Sequence, residues 1–189
     1  HNAMGSYVLS EEVIPDWIVN TLKDTVDSDP NVTSLREAIL SLNESGGGII
    51  TFDFAAIAAE IGEDVAVILL DDAYGTLLLT ANITIDARDT EGLLGGKVIT
   101  VDGSALSDSA FAMDQNATVQ MQYFDLIGAG SETAPVGKGA AIRLDSGMLT
   151  LYHVTVSGGY AEQGGGLLLG QSEGTDGGVG ADIGALVAL

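Results

Sequence analysis

The period of apolar positions changes along the chain. Ile14, Trp17, Ile18, Leu22 and Val26 share one face of a helix that opens near Pro15 and is closed by Asp27-Ser28-Asp29-Pro30. Residues 1–30 are therefore expected as an N-terminal extension, a short strand at Tyr7-Val8-Leu9 followed by a helix. Ser34 with Glu37 three residues later makes a capping box, and Leu35, Ala38, Ile39 and Leu42 form an apolar stripe behind it. This predicts a capping helix over 34–45, stopped by Gly46-Gly47-Gly48. After the glycines the pattern alternates, with Ile50, Phe52 and Phe54 on one side of an extended segment and Thr51 and Asp53 on the other.

Short runs rich in β-branched residues follow, at 65–70, 77–79, 83–85 and 98–101, separated by Asp, Gly, Ala and Asn turns. Val119, Met121, Phe124, Leu126 and Gly128 align with Leu149, Leu151, Val154, Val156 and Gly158 at a constant offset of 30. Each copy reads as two short strands meeting at a polar corner, Gln122-Tyr123 in one and Tyr152-His153 in the other. A sandwich is also built of short strands and frequent turns. The repeat favours an all-β solenoid instead, a parallel β-helix over 31–189 with Ile85, Met121, Leu151 and Val156 directed inward.

Composition narrows the function classes. Twenty-seven acidic residues against six basic ones give a net charge of −21, which repels phosphate, so neither nucleic acid nor an anionic membrane is an expected partner. Hydrophobic residues at 46% supply enough apolar surface for a core despite that charge. With no cysteine there is no disulfide, thiol nucleophile or Cys-based zinc site. No apolar run approaches the roughly 18 residues that a membrane-spanning helix needs.

The segment Val32-Thr33-Ser34-Leu35-Arg36-Glu37-Ala38-Ile39, followed by Asn43-Glu44-Ser45-Gly46-Gly47-Gly48-Ile49-Ile50-Thr51-Phe52, resembles the opening of CSLREA-type surface proteins and adhesins of bacteria and archaea. Thr33 stands where that family usually has cysteine. Leu149-Thr150-Leu151-Tyr152-His153-Val154-Thr155-Val156-Ser157-Gly158-Gly159 and Gly164-Gly165-Gly166-Leu167 are similar to its rungs, and the likeness covers residues 32 to about 169. The resemblance implies a right-handed, pectate-lyase-like β-helix on a secreted or surface-displayed protein.

Candidate chemistry is sparse. Asp71-Asp72 is the one adjacent aspartate pair, but neighbouring strand residues point to opposite faces and Asp-Asp-Ala-Tyr-Gly reads first as a turn. His153 at its corner reads as a structural residue more readily than as a general base. Arg36 is expected on the polar side of the capping helix, and Arg36, Arg88 and Arg143 are too scattered to suggest a basic groove. Calcium is the cation that oxygen-rich turns suit, with Asp102, Asp108, Glu173 and Asp176 as candidate ligands, although neither an EF-hand loop nor a Gly-Gly-x-Gly-x-Asp repeat is present. Otherwise no cofactor is expected.

Four of six asparagines, Asn31, Asn43, Asn82 and Asn116, open glycosylation sequons, an excess that points outside the cell. The C-terminal end is expected to be uncapped, because Ala185-Leu186-Val187-Ala188-Leu189 is an apolar, β-competent run. Leu186, Val187 and Leu189, or Tyr7, Val8 and Leu9, are therefore candidate assembly residues, adding as strands to a neighbouring copy. Together these features predict a non-enzymatic, extracellular structural or adhesive surface protein, a homo-oligomer or filament subunit stacked end to end, with a glycan or surface ligand as partner. The alternatives are a carbohydrate-binding or carbohydrate-cleaving β-helix and a calcium-dependent module of a secreted giant adhesin.

Overall fold

The computed structural model describes residues 16–62, 64–163, 165–169 and 181–182. Its elements are β1 (Asp16–Val19), α1 (Leu35–Ser45), β2 (Gly47–Phe52), α2 (Phe54–Ile61), β3 (Val67–Leu69), β4 (Leu77–Leu79), β5 (Asn82–Asp86), β6 (Ile99–Asp102), β7 (Phe111–Met113) and β8 (Thr118–Gln122). There follow β9 (Phe124–Gly128), β10 (Val136–Lys138), β11 (Ile142–Leu144), β12 (Met148–Tyr152), β13 (Thr155–Gly158), β14 (Ala161–Gln163), β15 (Leu167–Leu169) and β16 (Ala181–Asp182).

Among the described residues these strands form four sheets, ordered β1-β2-β5-β8-β12-β16, β13-β9-β6-β3, β15-β11-β7-β4 and β10-β14. Every pairing between named strands is parallel. The offset of 30 is the register itself: Leu149 lies opposite Val119, Leu151 opposite Met121, Val156 opposite Leu126 and Gly158 opposite Gly128.

This arrangement corrects the expected all-β solenoid, the right-handed parallel β-helix. The strands belong to four separate sheets rather than one closed coil, and with two helices built in, the architecture is of an α/β type. The physical reason is that a repeat fixes the interval at which parallel strands pair, and parallel pairing always demands a crossover of a dozen residues or more. Closure of the sheets is a further property that the interval does not specify.

The expected helix near Pro15 is also corrected, because Asp16–Val19 is strand β1, paired with β2 from Asp16 opposite Ile49 to Val19 opposite Phe52. Ile18 is exposed and Val19 buried, an alternation of period two; the free edge of β2 overrides the helical spacing. A helix that the alternation of Ile50, Phe52 and Phe54 concealed begins at Phe54, where the Asp53 carboxylate accepts the Ala56 amide as an N-cap.

Helix α1 carries the capping box read from its sequence: the Glu37 amide donates to Ser34 Oγ at 3.1 Å and the Ser34 amide to Glu37 Oε2 at 2.8 Å. Its stripe of Leu35, Ala38, Ile39 and Leu42 is buried in one apolar core with Ile50, Ile85, Met121, Phe124 and Leu151, while Val156 is partly buried against that core. Gly47, at φ 122°, leaves the helix directly into β2, where a Cβ would run into the Asn82 carbonyl, so the Gly-Gly-Gly stop is also a place of close backbone approach.

Candidate functional site

The residues singled out by sequence are dispersed, and most have structural work. Asp71 Oδ1 accepts the Ala73 amide within its turn, while Asp72 Oδ1 accepts both the Ser107 amide at 2.7 Å and the Ser107 hydroxyl at 2.8 Å. Those Ser107 bonds hold the Asp72 carboxyl below the usual carboxylate range. The two acids thus serve different partners. Asp102 accepts the Ser104 amide, and Asp108 accepts the Ser109 amide and Arg143 Nη1 at 3.0 and 3.1 Å. Glu173 and Asp176 lie outside the described residues, as do Tyr7, Val8, Leu9, Leu186, Val187 and Leu189. Among the described residues no group of three or more His, Asp or Glu side chains is placed to hold a metal ion.

The four sequon asparagines differ in what their side chains hold. Asn43 donates to the Leu78 carbonyl and accepts the Thr80 amide, both across 35 residues or more. Asn82 accepts the Thr118 amide, and Asn31 donates to Asp29. Asn116 is exposed in a left-handed turn at φ 57°, its backbone amide donating to Ser146 Oγ.

Arg36 departs from its expected place on a polar face. It is buried, with Nε and Nη2 on the two Asp24 carboxylate oxygens at 2.7 and 2.9 Å, and it also donates to the carbonyls of Tyr74, Gly75 and Thr76. Asp24 in turn accepts the Asp71 amide at 2.8 Å. The guanidinium is therefore a clasp between α1, the preceding loop and the 71–76 turn.

The groove with the richest mixture of chemistry lies where β5, β8 and β12 end. Beyond β8 and β12 the chain turns at Tyr123 and His153, both in the left-handed region at φ 61° and 51°. These turns pass the chain from the six-stranded sheet into the sheet of β9 and β13. The rings stack at 5.0 Å between centroids and 19° between planes. Tyr152 stands edge-on to both, and the Arg88 guanidinium lies 4.6 Å from the Tyr123 ring centre. Desolvation raises the Tyr123 phenol above its ordinary range, and Tyr152 adds to the shift.

The opposite wall is the loop between β5 and β6. Asp89 accepts the Leu94 amide at 2.8 Å within it; burial works against the carboxylate, but the amides of Leu94, Leu93, Gly92 and Glu91 outweigh that and hold its carboxyl low. Between the walls is a cavity of about 520 Å³ whose lining includes Arg88, Lys97, Val98, Tyr123, Asp125 and His153. Asp125 stands in register with Thr155 on one side and Thr100 on the other, on the outward face of their sheet. Among the described residues neither the Asp125 carboxylate nor the Thr155 hydroxyl is hydrogen-bonded to protein. Sequence showed Tyr123 and His153 as equivalent corners, but nothing in it brought Arg88, Lys97 and Asp125 to them, since that depends on the fold of the 87–98 loop.

Comparison with protein-family models, with curated proteins and with solved structures gives no match for this chain. Among the described residues, no helix is long and apolar enough to cross a membrane.

Proposed function

We propose that this chain is a non-enzymatic adhesive module displayed outside the cell, contacting its ligand through the groove at Arg88, Tyr123 and His153. The observation that carries this reading is the division of labour among polar groups. Asp72, Asp102 and Asp108 are engaged with backbone amides, with Ser107 or with arginine, and Asp89 holds its loop through one oxygen while its Oδ1 is buried unpaired; among the described residues Asp125 and Thr155, in the groove, face outward with no hydrogen bond to protein. Acid–base cleavage of a glycosidic bond asks for two carboxyl groups set roughly 5 to 10 Å apart across the bond, one of them poised to donate a proton. Carboxylates held ionised by turn amides suit folding, and a groove with free hydrogen-bonding groups suits retention of a ligand. The sequons and the resemblance to surface proteins support an extracellular setting.

The test uses beads coated with the purified chain, applied under flow to cells and to polysaccharide films. Retention without release of new sugar ends is the expected result. Release of sugar ends from polygalacturonate, alginate or a neutral glucan would make the chain an enzyme, and failure to be retained on any surface would remove the adhesive role.

An assembled form of the same module is favoured by one observation: among the described residues, β1 and β16 lie at the two ends of a single six-stranded parallel sheet. An edge strand presents unpaired backbone groups, so β16 of one copy can receive β1 of the next and continue the sheet. Such a contact is heterologous and propagates. Salt, by screening −21 per copy, should promote it, and a monomer by sedimentation at high concentration and high salt would refute it.

A further inference from the structure

We infer that the groove is a saccharide site selective for neutral sugars, a conclusion that rests on the adhesive reading and names its ligand class. The lining decides between neutral and acidic sugars by its charge. The cations of the lining are already engaged: Arg88 Nη2 meets Asp86 Oδ2 at 3.2 Å and Lys97 Nζ donates to the Asp64 carbonyl at 2.7 Å, so neither is free to draw in an acidic sugar. Asp89 and Asp125, on a molecule of net charge −21, oppose an anion such as a polyuronate. A sugar without net charge does not meet that penalty.

The remaining surface asks for a ligand with an apolar face and a rim of hydroxyls. Ala87 and Val154 are buried and Val98 is exposed; with the imidazole of His153 they give the groove apolar surface. Tyr123 is gripped between Arg88, which follows β5, and His153, which follows β12, so this wall is held in place before any ligand arrives. Asp125 and Thr155 occupy neighbouring register positions on adjacent strands, which lie roughly 4.8 Å apart. A carboxylate accepts from hydroxyls and a threonine both donates and accepts, so together they can take adjacent hydroxyls of one sugar ring. A cavity of about 520 Å³ falls in the ordinary range for small-ligand sites and accepts a short saccharide.

The test is titration calorimetry of the full chain with four-residue cello-, manno- and galacto-oligosaccharides and with tetragalacturonate. At least one neutral series should bind with Kd below about 1 mM, and the uronate should not. Asp125→Ala and Thr155→Val, whose side chains make no hydrogen bond to protein among the described residues, should melt as the native chain does and lose affinity at least tenfold. Arg143→Gln, outside the groove, should bind unchanged. Absence of neutral-sugar binding, preference for the uronate, or unchanged affinity in both groove variants would overturn the inference. Retention of coated beads by surfaces with no saccharide binding would leave adhesion standing and remove the groove's assignment. Saccharide binding without bead retention would do the reverse.

Discussion

Tyr123 and His153, thirty residues apart in sequence, stack face to face at 5.0 Å while both hold the left-handed backbone conformation. For a side chain with a Cβ that conformation costs about 1–2 kcal/mol, and here it occurs at both residues that follow the paired strands β8 and β12. Parallel pairing of β8 with β12 brings Gln122 opposite Tyr152, so the next residue of each strand arrives at the same height above the sheet edge. The stack offsets part of the backbone strain, and the strain holds the rings at the groove.

That relationship can be separated into its parts. His153→Asn keeps a residue that tolerates the left-handed region but removes the ring. The variant should fold and lose about 0.5–1.5 kcal/mol, the range measured for aromatic pairs, read as a lowered denaturant midpoint with unchanged slope. His153→Gly, which also relieves backbone strain, should lose less than His153→Ala. Equal losses in the three variants would mean that the strain is not felt, and no loss in His153→Asn that the stack is not.

Leu151 tests the placement of the repeat's apolar positions. It is buried opposite Met121 on β8, with Ile85 in line on β5. Leu151→Asp sets an unpaired carboxylate into that row, at a cost of several kcal/mol. Thr150→Asp, one residue away and on the other face of the strand, should be tolerated. Thermal unfolding of the pair checks this, and similar melting of both variants would contradict the alternation.

Local chemistry was the legible part of this sequence. Ser34 and Glu37 announced the start of α1 because a capping box is a contact between neighbours, and the offset of 30 became a register because inward apolar positions on adjacent parallel strands must coincide. What the sequence left open depends on distant partners. The edge of β2 turns residues 16–19 into a strand despite helical spacing, and Asp53 starts α2 inside a pattern that reads as extended. The division into four sheets, against a single coil, is likewise not encoded in a spacing. The groove was half visible: its aromatic corners repeat, but the Arg88 and Lys97 side is an irregular loop held by Asp89.

Arg36 offers the largest single effect. With both members of the pair almost wholly buried, Arg36→Met leaves the Asp24 carboxylate without its countercharge and frees three carbonyls of the 74–76 turn. A loss of about 3–5 kcal/mol is expected, the range for breaking a buried pair on one side. Removing the second charge with Asp24→Leu should recover part of it. Recovery stays incomplete because Asp24 also accepts the Asp71 amide. Denaturant unfolding of the two single variants and the double variant gives the coupling, and additive losses would mean that the clasp is not a unit.

Asp108 governs a test in acid. Burial works against its carboxylate, but the Ser109 amide and Arg143 outweigh that, and its carboxyl is held below the usual range. A depressed folded value means that the unfolded chain takes up the proton first. The stabilisation is therefore complete above the unfolded value of about 3.9 and is lost as pH falls through the lower folded value. Asp108→Asn removes this contribution, so the variant should be the less stable at neutral pH, and its difference from the native chain should shrink steadily below about pH 4. Taking the difference cancels the relief of repulsion that acidification brings to the other acidic residues in both proteins. High salt should narrow the gap by screening Arg143 but should not close it, since the Ser109 amide bond persists. Denaturant midpoints measured from pH 7 to pH 2, at low and high salt, check each arm. A gap constant down to pH 2 would show that the Asp108 carboxyl is not held low.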